Sequence, residues 1–451
     1  MLQKNIVLLF PDQYRADWVE YAPAVLRQKG IRRMPLRTPF LRTLMQDGVT
    51  FLNASTPAPL CAPARACLAL GADYSHCPVK NNGMDMDASR PTFYNILRER
   101  GYDVYGVGKF DLHKGSHRWA GENGLTPLIY DLGFTGGVDN GGKMDAVNYG
   151  CDEARAEPYM RFLARRELKQ THIADMTKRG RRVAPTPLPD DAYCDNYITR
   201  NALEVLEGVR PGQPFFLQVN FAGPHEPFDV TESMRARVEG RVFDTPCMYT
   251  PQDNTDINGV RQNYAAMIEN IDANCRKIAD KLKERGVYED TVIIFCADHG
   301  EMLGDRGLFA KCLPYRGAVD IPLIVAAPGG RRGVVTDALA SLEDLAGTVL
   351  ELATGEGSAA LSGCVSLAPV INGEAERVRT YAVSRLEDQY GKGVKKYTGF
   401  STIRDERHKY IVFADGREEL YDLKADPFET ENILAKDAQT ARALKAALAM
   451  Y

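Results

Sequence analysis

The chain has 451 residues and ten cysteines, yet no Cys-x-x-Cys pair and no regular cysteine spacing. That excludes a thiolate zinc cluster and a small disulfide framework. Long apolar runs are missing too. The N-terminal run, Asn5 to Phe10, is too short for the hydrophobic segment of a secretion signal and meets Pro11-Asp12-Gln13 at once. No run approaches the length of a bilayer span. The expectation is therefore a cytoplasmic chain with no membrane partner. Neither sign of charge is in strong excess: the formal net charge is −4 and the pI about 6.1, which gives no global attraction to nucleic acid. An anionic substrate has to be drawn in locally. With 44% hydrophobic and 26% charged residues the composition is that of a folded enzyme, without repeats or low-complexity tracts.

The stretch Cys61-Ala62-Pro63-Ala64-Arg65 follows the turn-forming run Ser55 to Leu60 and opens an apolar helix that stops at Gly71. Pro63 suits a first helical turn and Gly71 a left-handed cap. A thiol at that start sits where free N–H groups and the helix dipole favour an anion, and Arg65 adds a planar charge one turn on. By itself the pattern equally suits a small buried cysteine and a surface arginine.

Along the chain, a buried parallel strand is predicted at Asn5 to Phe10, and further strands at Asp103 to Val107, Pro214 to Phe221, Thr291 to Ala297 and Ile321 to Ala327. Several deliver polar residues at their exits: Asp12-Gln13, Gly108-Lys109, Pro224-His225-Glu226-Pro227 and Asp298-His299. Helices are expected at Pro91 to Arg100 and Asp190 to Glu207. The stripe Val260, Tyr264, Met267, Ile268, Ile271, Cys275, Ile278, Ala279 and Leu282 marks the core face of a long helix. Residues 115–189 read as an excursion from the core, with glycine pairs at Gly136-Gly137 and Gly141-Gly142. Its Arg161, Arg165, Arg166 and Lys169 are taken as a solvated face. Arg316 and Asp320 have the spacing of a scaffold ion pair. Short strands crowd together from Thr380 to Leu423, then a helix follows from about Ala435, which suggests a small antiparallel sheet carrying a helix. The division expected is 1–375 for a catalytic α/β domain and 376–451 for an α+β subdomain.

Asp12 and Asp298 at strand exits are oxygen ligands suited to a hard dication, although turn-forming aspartates fit the spacing as well. Taken together, the CxPxR stretch, Gly108-Lys109, Pro224 to Phe228, Ala297-Asp298-His299-Gly300-Glu301, Leu308 to Lys311 and Leu420 to Pro427 resemble the formylglycine-dependent sulfatases, in the same order and over nearly the whole chain. The resemblance implies an alkaline-phosphatase-like α/β sandwich with a mainly parallel central sheet flanked by helices. It implies a divalent metal, Ca2+ with Mg2+ and Mn2+ as alternatives, on Asp12, Gln13, Cys61, Asp298 and His299. It also implies that a maturation enzyme converts Cys61 to formylglycine, whose hydrate attacks sulfur and then collapses to expel sulfate. Arg65, Lys109 and Lys311 would hold the sulfate oxygens and His225 would protonate the leaving group. The substrate class is a small sulfated sugar, aryl or alkyl ester.

Two departures from the pattern stand out. Where many sulfatases have Lys-x-His, Lys109 is followed by Phe110, Asp111, Leu112 and His113. Either His113 or Asp111 then handles the hydrate protons, with His113 preferred for its neutral imidazole. Gln13 and His299 resemble the branch of phosphonate monoester and phosphodiester hydrolases, which stands as the alternative activity. A catalytically silent anion-binding protein is the third reading. The remaining histidines, His76, His117, His172 and His408, have no matching context.

Overall fold

Eight short apolar segments make the central sheet: β1 (Asn5–Asp12), β2 (Val49–Ser55), β3 (Asp103–Gly108), β4 (Gly136–Asp139), β5 (Phe215–Pro224), β6 (Thr291–Cys296), β7 (Leu323–Ala326) and β8 (Val334–Ser341). The structure is a computed structural model that describes residues 3–121, 124–251, 254–357, 361, 363–391 and 394–451. The strands lie in the order β4-β3-β5-β1-β6-β7-β2-β8. All neighbours are parallel except β7, which runs antiparallel to both β6 and β2.

The three middle strands are buried on both faces, as parallel strands under helical layers must be. Ile6, Leu8, Phe10, Phe216, Val292 and Ile294 are fully enclosed, each contributing about 1.5–3 kcal/mol by burial, so the register is strongly specified. The helix Ile257–Glu284 buries the whole predicted stripe from Val260 to Leu282.

Residues 115–189 are more than an excursion. They supply β4, the edge strand beyond β3, together with the helices Lys143–Tyr149, Pro158–Arg165 and Lys169–Arg179. Glycine hid this strand. Gly137, at φ +132°, lies so close to β3 that a Cβ there would overlap the Gly106 carbonyl. The expected Arg316–Asp320 pair does not form either. Asp320 faces Arg404 at 3.5 Å, while Arg316 turns to the Pro427 carbonyl and the Phe428 ring, which hold it toward the C-terminal sheet.

That sheet contains β9 (Ala382–Leu386), β12 (Phe400–Arg404), β13 (His408–Phe413) and β14 (Glu418–Asp422) in the antiparallel order β14-β13-β12-β9. A separate ribbon joins β10 (Gln389–Gly391) and β11 (Val394–Tyr397). One face packs on the helix Ala438–Leu448 through Val383, Ile403, Tyr410 and Leu420; the other adds Phe400, Ile411 and Tyr421 to the main core. Among the described residues no helix is long and apolar enough to cross a membrane.

Candidate active site

Four adjacent strands, β3, β5, β1 and β6, end at one edge of the sheet, where parallel strands about 4.8 Å apart bring their exits into contact. They carry Lys109, His225, Asp12 and Asp298. The β1–β5 register shifts between Pro11 and Asp12, and Gln13 follows in a left-handed conformation at φ +66°. Asp111, Ala310 and Cys312 share that conformation, at a cost on the order of 1 kcal/mol each.

The helix Cys61–Leu70 points its first turn at the same place, and Gly71 caps its far end at φ +55°. Cys61 Sγ lies 3.2 Å from His299 Nε2 and 3.8 Å from Asp12 Oδ1. Arg65 donates to Asp298 Oδ2 at 2.9 Å, to Asn220 Oδ1 at 3.2 Å and to Asp12 Oδ2 at 3.4 Å, and also to the Lys109 carbonyl. Lys109 donates to Asp12 and lies 3.1 Å from Asp111. Lys311 donates to Gln13 Oε1 at 2.5 Å and meets His225 Nε2. Cys61, Arg65, Lys109, Asp12, Asp298 and His299 are all essentially enclosed.

So many buried charges reshape one another. Burial and the Asp12 carboxylate push the Cys61 thiol up, but Lys109, Lys311 and His299 outweigh them and hold it well below its ordinary value. Burial also raises Asp12, which Lys109, His225, Arg65 and His299 nevertheless hold well below the usual carboxylate range. Burial pushes Glu301 up to about 7, assisted by Glu226.

The ligating atoms of Asp12, Cys61, Asp298 and His299 lie within 4.8 Å of one another. His299 Nδ1 donates to the Gly300 carbonyl at 2.9 Å, which leaves the Nε2 lone pair facing the cluster. Two carboxylates with one imidazole so arranged fit a hard dication. Gln13 lies beside this group: its backbone N–H donates to Asp298 Oδ1 at 3.0 Å and its side-chain oxygen accepts from Lys311 at 2.5 Å.

His113 is not brought to Lys109. Its Nε2 pairs with Asp139 on β4, whereas Asp111 sits between Lys109 and Lys114, 2.7 Å from the latter. Contact with Lys109 therefore falls to Asp111, the other side of the alternative.

Several supporting residues escaped the sequence reading. Asn82 Oδ1 accepts from Ala62 N at 3.0 Å at the helix start. Asn220 meets Arg65 from the buried end of β5, where a polar residue in an apolar strand was the available signal. Asp195 accepts from the N–H groups of Ala222 and Gly223, and Lys143 donates to Asp229 at 2.7 Å and the Pro227 carbonyl at 3.2 Å, so both brace the His225 loop.

Known proteins resemble this chain over most of its length. The multifunctional alkaline phosphatase superfamily protein PehA of Trinickia caryophylli is 28% identical, over 98% of this chain and 93% of that protein. The choline-sulfatase of Rhizobium meliloti is 27% identical over 95% of this chain and 82% of its own length. The crystal structure of a phosphonate monoester hydrolase from Agrobacterium radiobacter superposes with a TM-score of 0.80 at 22% identity, covering 99% of this chain and 95% of that one, and so shares the fold. An N-sulphoglucosamine sulphohydrolase C-terminal model matches residues 304–450. The sulfatase model matches residues 4–355, most of the length and every strand exit described above, and the chain belongs to the sulfatase family.

Proposed function

We propose that the chain hydrolyses a sulfate monoester of a small sugar, aryl or alkyl alcohol at the Cys61 edge of the sheet. The observation that carries this is the joining of Cys61, Asp12, Asp298 and His299 within 4.8 Å, with Arg65, Lys109 and Lys311 beside them. When bound, a dication on Asp12, Asp298, His299, Gln13 and residue 61, for which we favour Ca2+, would supply Lewis acidity, and Cys61 matured to formylglycine by a generating enzyme would supply the attacking oxygen.

The chain's own groups do the rest. Lys109 and Lys311 donate to the sulfuryl oxygens as negative charge moves to the leaving group. Arg65, fixed between Asp298 and Asp12, keeps both carboxylates in place while adding positive potential. His225 keeps its Nδ1–H on the Glu226 carbonyl and, as the doubly protonated imidazolium, would pass its Nε2 proton to the departing oxygen and be left neutral. Proton handling at residue 61 falls to Asp111 through Lys109, or to His113 held by Asp139. Residues 376–451 we take as an α+β subdomain on a catalytic unit of residues 1–375. Ten free cysteines suit the cytoplasm as the compartment.

Gln13 and His299 in the cluster favour a second reading, hydrolysis of phosphonate monoesters or phosphodiesters. Steady-state turnover of a 4-nitrophenyl sulfate and an aryl phosphodiester by one metal-loaded preparation decides between them. We expect the sulfate to be cleaved faster; markedly faster phosphodiester cleavage overturns the first reading in favour of the second.

A further inference from the structure

Glu301 is fully buried three residues beyond Asp298, and the chemistry outlined above gives it no part. Its Oε1 accepts from the backbone N–H of Leu303 at 3.0 Å and of Ala310, the residue before Lys311. Its Oε2 accepts from Gln13 Nε2. On the other side of that amide, Gln13 Oε1 accepts from the Lys311 ammonium at 2.5 Å. The Gln13 backbone is pinned as well, since its N–H donates to Asp298 and its carbonyl accepts from Tyr264 at 2.7 Å.

An amide can normally turn over, exchanging its oxygen and nitrogen at little cost. Here it cannot do so freely. One neighbour, Glu301, has its Oε1 filled by two backbone N–H groups and turns Oε2 to the Gln13 NH2 as an acceptor; the other, an ammonium, only donates. Turning Gln13 over would set its oxygen against Glu301 Oε2 and its NH2 against the Lys311 ammonium, with both Gln13 and Glu301 fully buried.

We propose that Glu301 is a positioning residue that fixes the Gln13 amide with its oxygen toward Lys311 and the cation cluster. This rests on the metal-dependent reading above. Glu301 does not touch substrate or the reacting atoms; it makes Gln13 an oxygen donor, and through Ala310 it sets the backbone next to Lys311.

The test is a titration of the purified full-length chain with Mn2+, followed by electron paramagnetic resonance, for wild type, Glu301→Gln, Gln13→Ala and the Gln13→Ala/Glu301→Gln double variant. We expect Glu301→Gln to weaken Mn2+ binding about 10- to 100-fold, the usual reach of a group that orients a metal ligand. Glu301→Gln should add nothing further once Gln13 is alanine. A second arm exchanges the partners. Gln13→Glu alone sets two carboxylates together and should bind Mn2+ poorly or fold poorly, whereas Gln13→Glu/Glu301→Gln restores one donor facing one acceptor and should recover folding and binding. Unchanged Mn2+ affinity in Glu301→Gln overturns the proposal. So does a Glu301→Gln effect that persists in full in the Gln13→Ala background, or a double exchange no better than Gln13→Glu. A wild-type chain that binds no Mn2+, Mg2+ or Ca2+ removes the metal-dependent reading and this inference with it; wild-type binding with unaltered variants removes only the inference.

Discussion

The two ends of the central sheet could hardly differ more. At the end where the strands start, a cavity of about 870 Å3 opens beside Lys4, Arg210, Arg285, Asp290, Glu351 and Glu374. Its cations are occupied: Lys4 donates to the Pro328 carbonyl at 2.9 Å, Arg285 to the Val209 carbonyl at 2.8 Å, and Arg210 to Asp103 at 3.0 Å. At the end where β3, β5, β1 and β6 finish, charged groups are enclosed instead: Arg65 and Lys109 pair with carboxylates, and Lys311 meets the His225 imidazole. Volume therefore does not mark the working end. The convergence of buried charges on a thiol and an imidazole does, since scaffold ion pairs elsewhere are enclosed as well but gather no nucleophile or ligand set.

The comparison breaks most sharply at Cys61. Cys61→Ala should lower sulfate ester turnover on the order of a thousandfold or more, as loss of a nucleophile does. Its denaturant midpoint should stay within about 1 kcal/mol of wild type, because only one small side chain shrinks. Unfolding curves and single-turnover rates from one preparation check both halves.

Next in size is Arg65→Met, which strands Asp298 and Asp12 without their guanidinium. Loss of one partner from a buried pair costs about 3–5 kcal/mol, read as a lower midpoint in urea. Arg379, enclosed against Asp344 and Glu343 beneath the C-terminal sheet, offers the matching control. Arg379→Leu should destabilise comparably yet leave kcat per folded molecule unchanged.

Asp272 tests a buried carboxylate remote from either end. It accepts from Phe40 N and Leu41 N at the start of the helix Pro39–Asp47, and burial pushes its carboxyl up from 3.8 to about 6. Between those values the folded state binds more protons than the unfolded chain, so this group's stabilising contribution is complete only below 3.8 and is lost as pH rises through about 6. The contribution spans about 3 kcal/mol, and Asp272→Asn should flatten that slope in unfolding measured from pH 4 to 8. The smallest effect belongs to the cavity end: Arg285→Ala should change stability by less than about 1 kcal/mol and turnover not at all.

Much of this contrast can be read from the residues. Strand exits ending in Asp12, Lys109, His225 and Asp298 are local patterns, and parallel pairing alone gathers them at one edge. What escaped depended on contacts distant in sequence or on backbone geometry. Gly136 and Gly137 read as a loop because their strand needs close approach to β3 rather than side-chain packing. That His113 pairs with Asp139 while Asp111 lies beside Lys109 depends on β4, which no local spacing announces. Asn220, Asp195 and Lys143 support the site from elements whose proximity no local spacing announces.

The most direct test is the mass of the peptide containing Cys61, taken from the same preparation whose sulfate release is measured. If the Cys61 edge is the reaction centre, specific activity rises in proportion to the fraction of that peptide bearing the aldehyde in place of the thiol, and vanishes in Cys61→Ala. Full activity from a chain whose Cys61 remains entirely thiol, or from Cys61→Ala, would contradict the account.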